Sequence, residues 1–298
     1  MKVGWLGIGN MGLPMVEKLI DGGHQVTVFD LRSNAMEALH PRKFESATHP
    51  RNLGDICEIV FFSLPSLEAT RTAVLGPDGL LTGCNLKLLV NTCTIGTALV
   101  TEIEEAARAR RVELVDCPIS GGPEAARKAA LSVMVSGTPE AVERVRPLIS
   151  LFGPTITVAG DRAGAAQMLK LVNNLIILTA YAGTLEAFVL GAKAGLDPDV
   201  MLNAINAGTL APNGTTKSWL PNYILKGVPV GAKLEMMVKD MDAALEEGRR
   251  FGVPMWVCET TGCLARQATF MGLGEKDVTA FVNMIEAGAL FELPRKSV

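Results

Sequence analysis

The chain has 298 residues, enough for two domains with a core each. Its 28 basic and 31 acidic residues leave a net charge of −3, and no long basic run is present, so neither nucleic acid nor an anionic membrane is an implied partner. Six cysteines without CxxC spacing read as scattered thiols of a reducing compartment rather than a disulfide frame or a zinc site, so no metal is expected, and a cytoplasmic location is the expectation for want of another address.

In chain order, residues 3–6 form a first apolar strand. A GxGxxG turn follows, with Gly7, Gly9 and Gly12, and opens a helix over 12–21. Such a turn lets backbone N–H groups and the helix dipole meet a pyrophosphate. A second strand, 25–29, ends at Asp30, where a carboxylate is able to accept from an adenosine ribose. The bland alternative is a glycine turn that only serves packing. Residues 59–63 read as a continuous apolar strand of a parallel sheet, stopped at Leu64-Pro65. Strands at 88–91, 113–115, 132–135 and 155–158 alternate with helical pattern, notably 101–110. The expected fold is α/β: a Rossmann-type doubly wound sheet, with ligands at the carboxyl ends of its strands.

From residue 163 the pattern becomes all helical: 165–193, 197–207, 236–251, 253–271 and 277–287. Gly160 to Gly164 reads as a turn, which places a dinucleotide-binding domain at 1–162 and an all-α substrate and oligomerisation domain at 163–298. The most apolar stretch, 169–190, contains Lys170, Asn173, Asn174 and Glu186, which argues against a transmembrane helix.

Four segments carry candidate chemistry. Ser120-Gly121-Gly122 follows a strand end and offers backbone to an anion such as a carboxylate, or is simply a turn into a helix. Lys170 and Asn174 share a helical face at i, i+4 and interrupt an apolar pattern. A desolvated lysine is a usable base; a snorkelling one is not. Lys239-Asp240 reads as a solvated charge pair by itself. The polar run Asn213 to Trp219 is a cover for a cleft or a surface loop.

Taken together, these segments resemble the β-hydroxyacid dehydrogenase family, to which 3-hydroxyisobutyrate dehydrogenase and the amino-terminal part of 6-phosphogluconate dehydrogenase belong. The family's GxGxMGxxM stands at Gly7 to Met15, its DxPxSGG at Asp116 to Gly122, its GxxxxxKxxNN at Gly164 to Asn174 and its late Lys-Asp at Lys239-Asp240. Three positions depart from it: Cys93 for a serine, Ala129 for a glycine, and Ser136-Gly137 for Gly-Gly.

The resemblance implies hydride transfer between a nicotinamide cofactor and the hydroxyl, semialdehyde or keto carbon of a small hydroxy acid. Lys170 is the implied base or acid, and Asn174 the residue that orients the hydroxyl. Ser120, Gly121 and Gly122 hold the substrate carboxylate, with Lys239 reaching substrate or cofactor. Gly7, Ile8, Gly9, Asn10, Met11 and Gly12 hold the pyrophosphate, Asp30, Leu31 and Arg32 the adenosine side, and Leu64, Pro65 and Thr94 the nicotinamide side. Asp30 favours NAD by repelling a 2′-phosphate, whereas Arg32 leaves NADP possible. Related expectations are reductases of tartronate semialdehyde, 2-(hydroxymethyl)glutarate, threonate or sulfolactaldehyde type, or an NAD-binding sensor without turnover. The 48% apolar content and the broad apolar helix suggest a homodimer or homotetramer.

Overall fold

The computed structural model describes residues 1–295. Nine strands form one sheet: β1 (Lys2–Leu6), β2 (Gln25–Phe29), β3 (Glu45–Ser46), β4 (Ile59–Phe62), β5 (Leu88–Asn91), β6 (Glu113–Asp116), β7 (Ile119–Ser120), β8 (Ser132–Ser136) and β9 (Thr155–Gly160). Their order is β3-β2-β1-β4-β5-β6-β8-β7, with β9 on β8. The first six are parallel, while β8 runs antiparallel to β6 and β7.

Helices α1 (Gly12–Asp21), α2 (Ser33–Glu37), α3 (Pro50–Ile56), α4 (Leu67–Leu75), α5 (Gly96–Ala109), α6 (Gly122–Arg127) and α7 (Pro139–Ile149) alternate with the strands. The IVFF and LLVN runs of β4 and β5 are buried throughout, as strands covered on both faces must be. One face buries Trp5, stacked on Phe61 at 5.1 Å, against Met15 and Leu19 of α1 and Val145 and Leu148 of α7. The other buries Val60, Phe62 and Leu89 against Leu53 of α3, Val74 of α4 and Leu99 and Ile103 of α5. Crossovers thus leave every parallel strand with its carboxyl end at one edge, where the connecting loops gather.

Helix α5 begins five residues earlier than its apolar stripe suggests, because Thr97, Leu99 and Val100 of its first turns are also buried. Strands β3 and β7 are two residues each and too short to show a period.

The chain divides into two compact units, Met1–Lys170 and Leu171–Val298. The division falls inside helix α8 (Ala165–Lys193), eight residues beyond the expected boundary at 162. The reason is physical: the first turn of α8 is hydrogen-bonded into the sheet, as described below. By length and composition alone α8 is able to cross a membrane. Its Tyr181, Leu185, Phe188 and Val189, however, form the core of the second unit with Leu202, Leu220 and Phe281.

The second unit also holds α9 (Pro198–Ala207), α10 (Leu234–Arg250), α11 (Trp256–Ala268) and α12 (Phe281–Ala289), with π-helical stretches at Thr215–Ile224 and Thr269–Leu273. Val172 and Ile176, counted by period among the apolar stripe of α8, are 44% and 66% exposed.

Candidate active site

The glycine loop separates two kinds of glycine. Gly7 has φ +90°, its N–H donates to Phe29 O at 2.8 Å, and a Cβ on it would lie 2.3 Å from Ser63 O. A Cβ on Gly12 would lie 2.1 Å from Gly7 O. Both are demanded by the protein's own packing. A Cβ on Gly9 would meet nothing nearer than Arg32 Nη2 at 3.9 Å, so its open face is free for a ligand. No side chain caps the start of α1 and no carboxylate stands in its first turn, which leaves the helix dipole to an outside anion. Ile8 is buried beneath the turn, Met11 half-buried and Asn10 exposed. These residues fit the pyrophosphate of a dinucleotide.

At the tip of β2, Asp30 Oδ2 accepts from Ile8 N–H at 2.7 Å, and Oδ1 accepts from Arg32 N–H at 2.9 Å and Arg32 Nε at 3.2 Å. Burial alone would raise the Asp30 carboxyl; the hydrogen bonds from Arg32 and Ile8 outweigh it and hold the group below its ordinary value. Asp30 is therefore an anion tied to the glycine loop, with Arg32 as its counterion. The Leu31 side chain faces solvent, at 92% exposure.

Beyond β4 and β5 the loops are joined to each other. Leu64 N–H donates to Cys93 Sγ at 3.0 Å, and Thr92 Oγ1 donates to Phe62 O at 2.7 Å. Thr94 is half-buried and Pro65 exposed. After β7, Gly121 and Gly122 hold φ of +134° and +73°, so side chains are disfavoured at both. A Cβ on Gly121 would strike Ala125 Cβ at 2.7 Å, whereas Gly122 faces open space. Ser120 is half-buried at the start of this curve.

Beneath these loops lies a buried polar network. Asp116, Asn91, Ser136 and Gln167 are all 0% exposed. Asp116 Oδ1 accepts from Asn91 Nδ2 at 2.9 Å and Gln167 Nε2 at 2.8 Å, and its Oδ2 accepts from Gln167 N–H at 3.0 Å. Burial pushes the Asp116 carboxyl up to about 6, against the lowering pull of Gln167 and Asn91. The sign follows from linkage. The stability gained by protonating Asp116 in the fold is full below its ordinary 3.8 and is lost as pH rises through about 6. Above that, the charge is carried by its donors. Lys170, one turn further along α8, is 8% exposed, so it does not snorkel to solvent.

In the second unit, Asn174 Nδ2 donates to Asp240 Oδ2 at 2.7 Å and Asn174 Oδ1 accepts from Asn173 Nδ2 at 3.1 Å. The Lys239 ammonium stands 2.8 Å from Asp240 Oδ1 but off the line of a hydrogen bond, so charge holds that buried oxygen. Asp240 thus links Asn174 to Lys239, and the pair is not a solvated one. The run Asn213 to Trp219 is not a loose surface loop but the ordered start of a π-helical stretch. Asn213 Oδ1 caps Thr215 N–H and Thr216 N–H, both threonines are buried, and Trp219 packs edge-on to Tyr181. Among the described residues no group of His, Cys, Asp and Glu is able to hold a metal ion.

Sequence reasoning gives Gln167 and Asn91 no role, and Asp116 and Asp240 only mark motifs. The signal available was a glutamine inside an apolar helical start, but its partners lie far away in sequence.

Residues 2–160 match the family model described as the NAD binding domain of 6-phosphogluconate dehydrogenase, and residues 164–285 the one described as NAD-binding of NADP-dependent 3-hydroxyisobutyrate dehydrogenase. A 3-hydroxyisobutyrate dehydrogenase of Pseudomonas aeruginosa is 39% identical over 251 residues, 82% of this chain and 84% of the relative. A 2-(hydroxymethyl)glutarate dehydrogenase of Eubacterium barkeri is 28% identical over 288 residues, 96% of this chain and 95% of that one. A crystal structure of a 3-hydroxyisobutyrate dehydrogenase from Salmonella typhimurium has the same fold, with TM-score 0.83 and 22% identity over 95% of this chain and 99% of that one. The chain belongs to the 3-hydroxyisobutyrate dehydrogenase family within the 6-phosphogluconate dehydrogenase superfamily and is an NAD(P)-dependent oxidoreductase acting on CH–OH groups.

Proposed function

We propose that this chain interconverts a small β-hydroxy acid of the 3-hydroxyisobutyrate kind and its semialdehyde, with Lys170 as the proton-transferring residue. The observation that carries this reading is the burial of Lys170, 8% exposed on a helix whose start is fastened to the sheet. The nicotinamide supplies the hydride acceptor or donor when bound. Neutral Lys170 Nζ takes the hydroxyl proton during oxidation; its ammonium returns a proton to the developing alkoxide during reduction. Asn174, held by Asp240 and Asn173, orients the hydroxyl. The positive-φ curve at Ser120, Gly121 and Gly122 receives the substrate carboxylate, and Lys239 adds a cation toward substrate or cofactor.

Residues Gly7 to Gly12 hold the pyrophosphate, Asp30 to Arg32 the adenosine ribose, and Leu64, Pro65 and Thr94 the nicotinamide side. The description of the second family model carries NADP, while the charge at Asp30 points to NAD. Arg32 pairs with Asp30 while most of its guanidinium stays exposed, which leaves NADP possible. The same chemistry serves related substrates: tartronate semialdehyde, threonate, 2-(hydroxymethyl)glutarate and sulfolactaldehyde. A sensor without turnover has no use for a buried lysine here.

The test is a panel of 3-hydroxy acids and semialdehydes with both cofactors, followed at the nicotinamide absorbance band. The expected result is turnover of 3-hydroxyisobutyrate with kcat/KM about 10-fold higher for NAD than for NADP, the residue of a repulsion worth ~4 kcal/mol at most after Arg32 offsets part of it. Tight cofactor binding with no turnover of any compound favours the sensor instead.

The same reading makes the protein a homodimer or homotetramer. Val172, Ile176 and Leu190 expose apolar surface along α8, and Trp256 and Phe270 are 80% and 89% exposed. Sedimentation at micromolar concentration is expected to give a dimer or tetramer, and a clean monomer would count against it.

A further inference from the structure

We propose that Gln167 is the positioning residue for Lys170, fixing the first turn of α8 against the carboxyl ends of β5 and β6. The Gln167 side chain has no exposure and uses its whole bonding capacity. Its Oε1 accepts from Ile95 N–H at 3.0 Å and Gly96 N–H at 3.2 Å. Its Nε2 donates to Cys93 O at 2.9 Å and to Asp116 Oδ1 at 2.8 Å. Its backbone N–H donates to Asp116 Oδ2 at 3.0 Å, and the neighbouring Ala166 N–H donates to Ser136 Oγ at 3.0 Å.

These bonds reach the helix from the loop after β5, the end of β6 and the end of β8. The first turn of α8 therefore neither rotates about its axis nor slides without leaving buried donors and acceptors unpaired. Packing alone does not require this. A methionine fills the same volume with no polar group to desolvate.

Lys170 lies three residues on, about 4.5 Å along the axis and about 60° around it. Its ammonium sits at the end of a four-carbon stem, so a small rotation at Gln167 becomes a larger displacement at Nζ. A displacement of about 1 Å at reacting atoms is able to slow a reaction about 100-fold. Asp116 is held by Asn91 Nδ2 as well, so the clamp is anchored in the sheet rather than in a loop.

The proposal rests on Lys170 being the proton-transferring residue, and the test separates the two. It is a double-mutant cycle of Gln167→Met and Lys170→Ala in the full chain. The rate of hydride transfer is read in a single turnover, beside cofactor Kd from nicotinamide fluorescence. Gln167→Met alone is expected to slow transfer about 10- to 100-fold while cofactor Kd changes less than about 2-fold. In the Lys170→Ala background the same change is expected to slow it less than about 2-fold, because the group it positions is gone. Equal losses in both backgrounds, or no loss in the single variant, would overturn the role of Gln167. A Lys170→Ala protein that keeps its rate sinks the base reading by that arm alone, and the proposal with it. Gln167→Leu removes every side-chain bond of Gln167 with a smaller apolar side chain. It is carried through the same cycle, so the answer stands where Gln167→Met does not fold.

Discussion

Lys170→Ala is expected to lower kcat by ~10²–10⁴ with cofactor affinity nearly unchanged, a loss of ~3–5 kcal/mol of transition-state stabilisation. The size follows from what the amine must do. Free lysine titrates near 10.4, so a base working at pH 7–8 needs a fall of ~2–3 units, and desolvation of the ammonium is the available lever. Lys170 is buried on a helix whose start is fastened to the sheet. The glycine loop and Asp30 sit on other elements, which is why cofactor Kd is expected to hold. Lys170→Arg distinguishes charge from proton transfer: guanidinium keeps the cation but does not deprotonate, so little activity returns. Turnover within a few-fold of the parent in Lys170→Ala would take Lys170 out of the chemistry.

What the sequence discloses depends on how local each cause is. β4 and β5 are legible because short apolar runs, Ile59 to Phe62 and Leu88 to Val90, stop ahead of Pro65 and Thr92, as strands inside a parallel sheet do. The ends of α8 are legible from its helical period, which runs from 165 to 193. The starts of α4 and α7 carry signals that the apolar pattern hides: Ser66 caps Ala69 N–H, and Thr138 caps Ala141 N–H ahead of Pro139. Segment 213–219 is deceptive, since its Asn213 side chain is taken up by an internal cap and its π-helical turns bury two threonines.

The site divides the same way. Spacing marks Lys170 and Asn174 only as candidates on one helical face, and whether a lysine on an apolar helix is buried or snorkels is decided by what packs over it. Gln167 is invisible to any window, because its partners Asp116 and Cys93 lie 51 and 74 residues away. The division of the chain shifts for that same reason. The Gly160 to Gly164 turn ends a strand, yet the turn of helix after it is bonded to the sheet and counts with it.

The glycine loop gives the second large effect, through two substitutions of identical size with opposite consequences. Gly12→Ala places a methyl 2.1 Å from Gly7 O, a backbone atom held in turn by the Gly7 N–H bond to Phe29 O. Neither side is a flexible side-chain end, so α1 must move off β1. A loss of ~3 kcal/mol is expected, a fall in Tm of ~6–12 °C for a chain of this size. Gly9→Ala meets no protein atom within 3.9 Å, and its backbone is not in the left-handed region, so Tm is expected within about 2 °C of the parent. The added methyl stands where the backbone must approach the pyrophosphate, so cofactor Kd is expected to rise ~10–100-fold, or ~1.4–2.8 kcal/mol. Calorimetry and nicotinamide fluorescence on both variants decide it. If Gly9→Ala binds cofactor as tightly as the parent while folding normally, the dinucleotide does not sit on this turn, and the roles given to Asp30 and Arg32 fall with it.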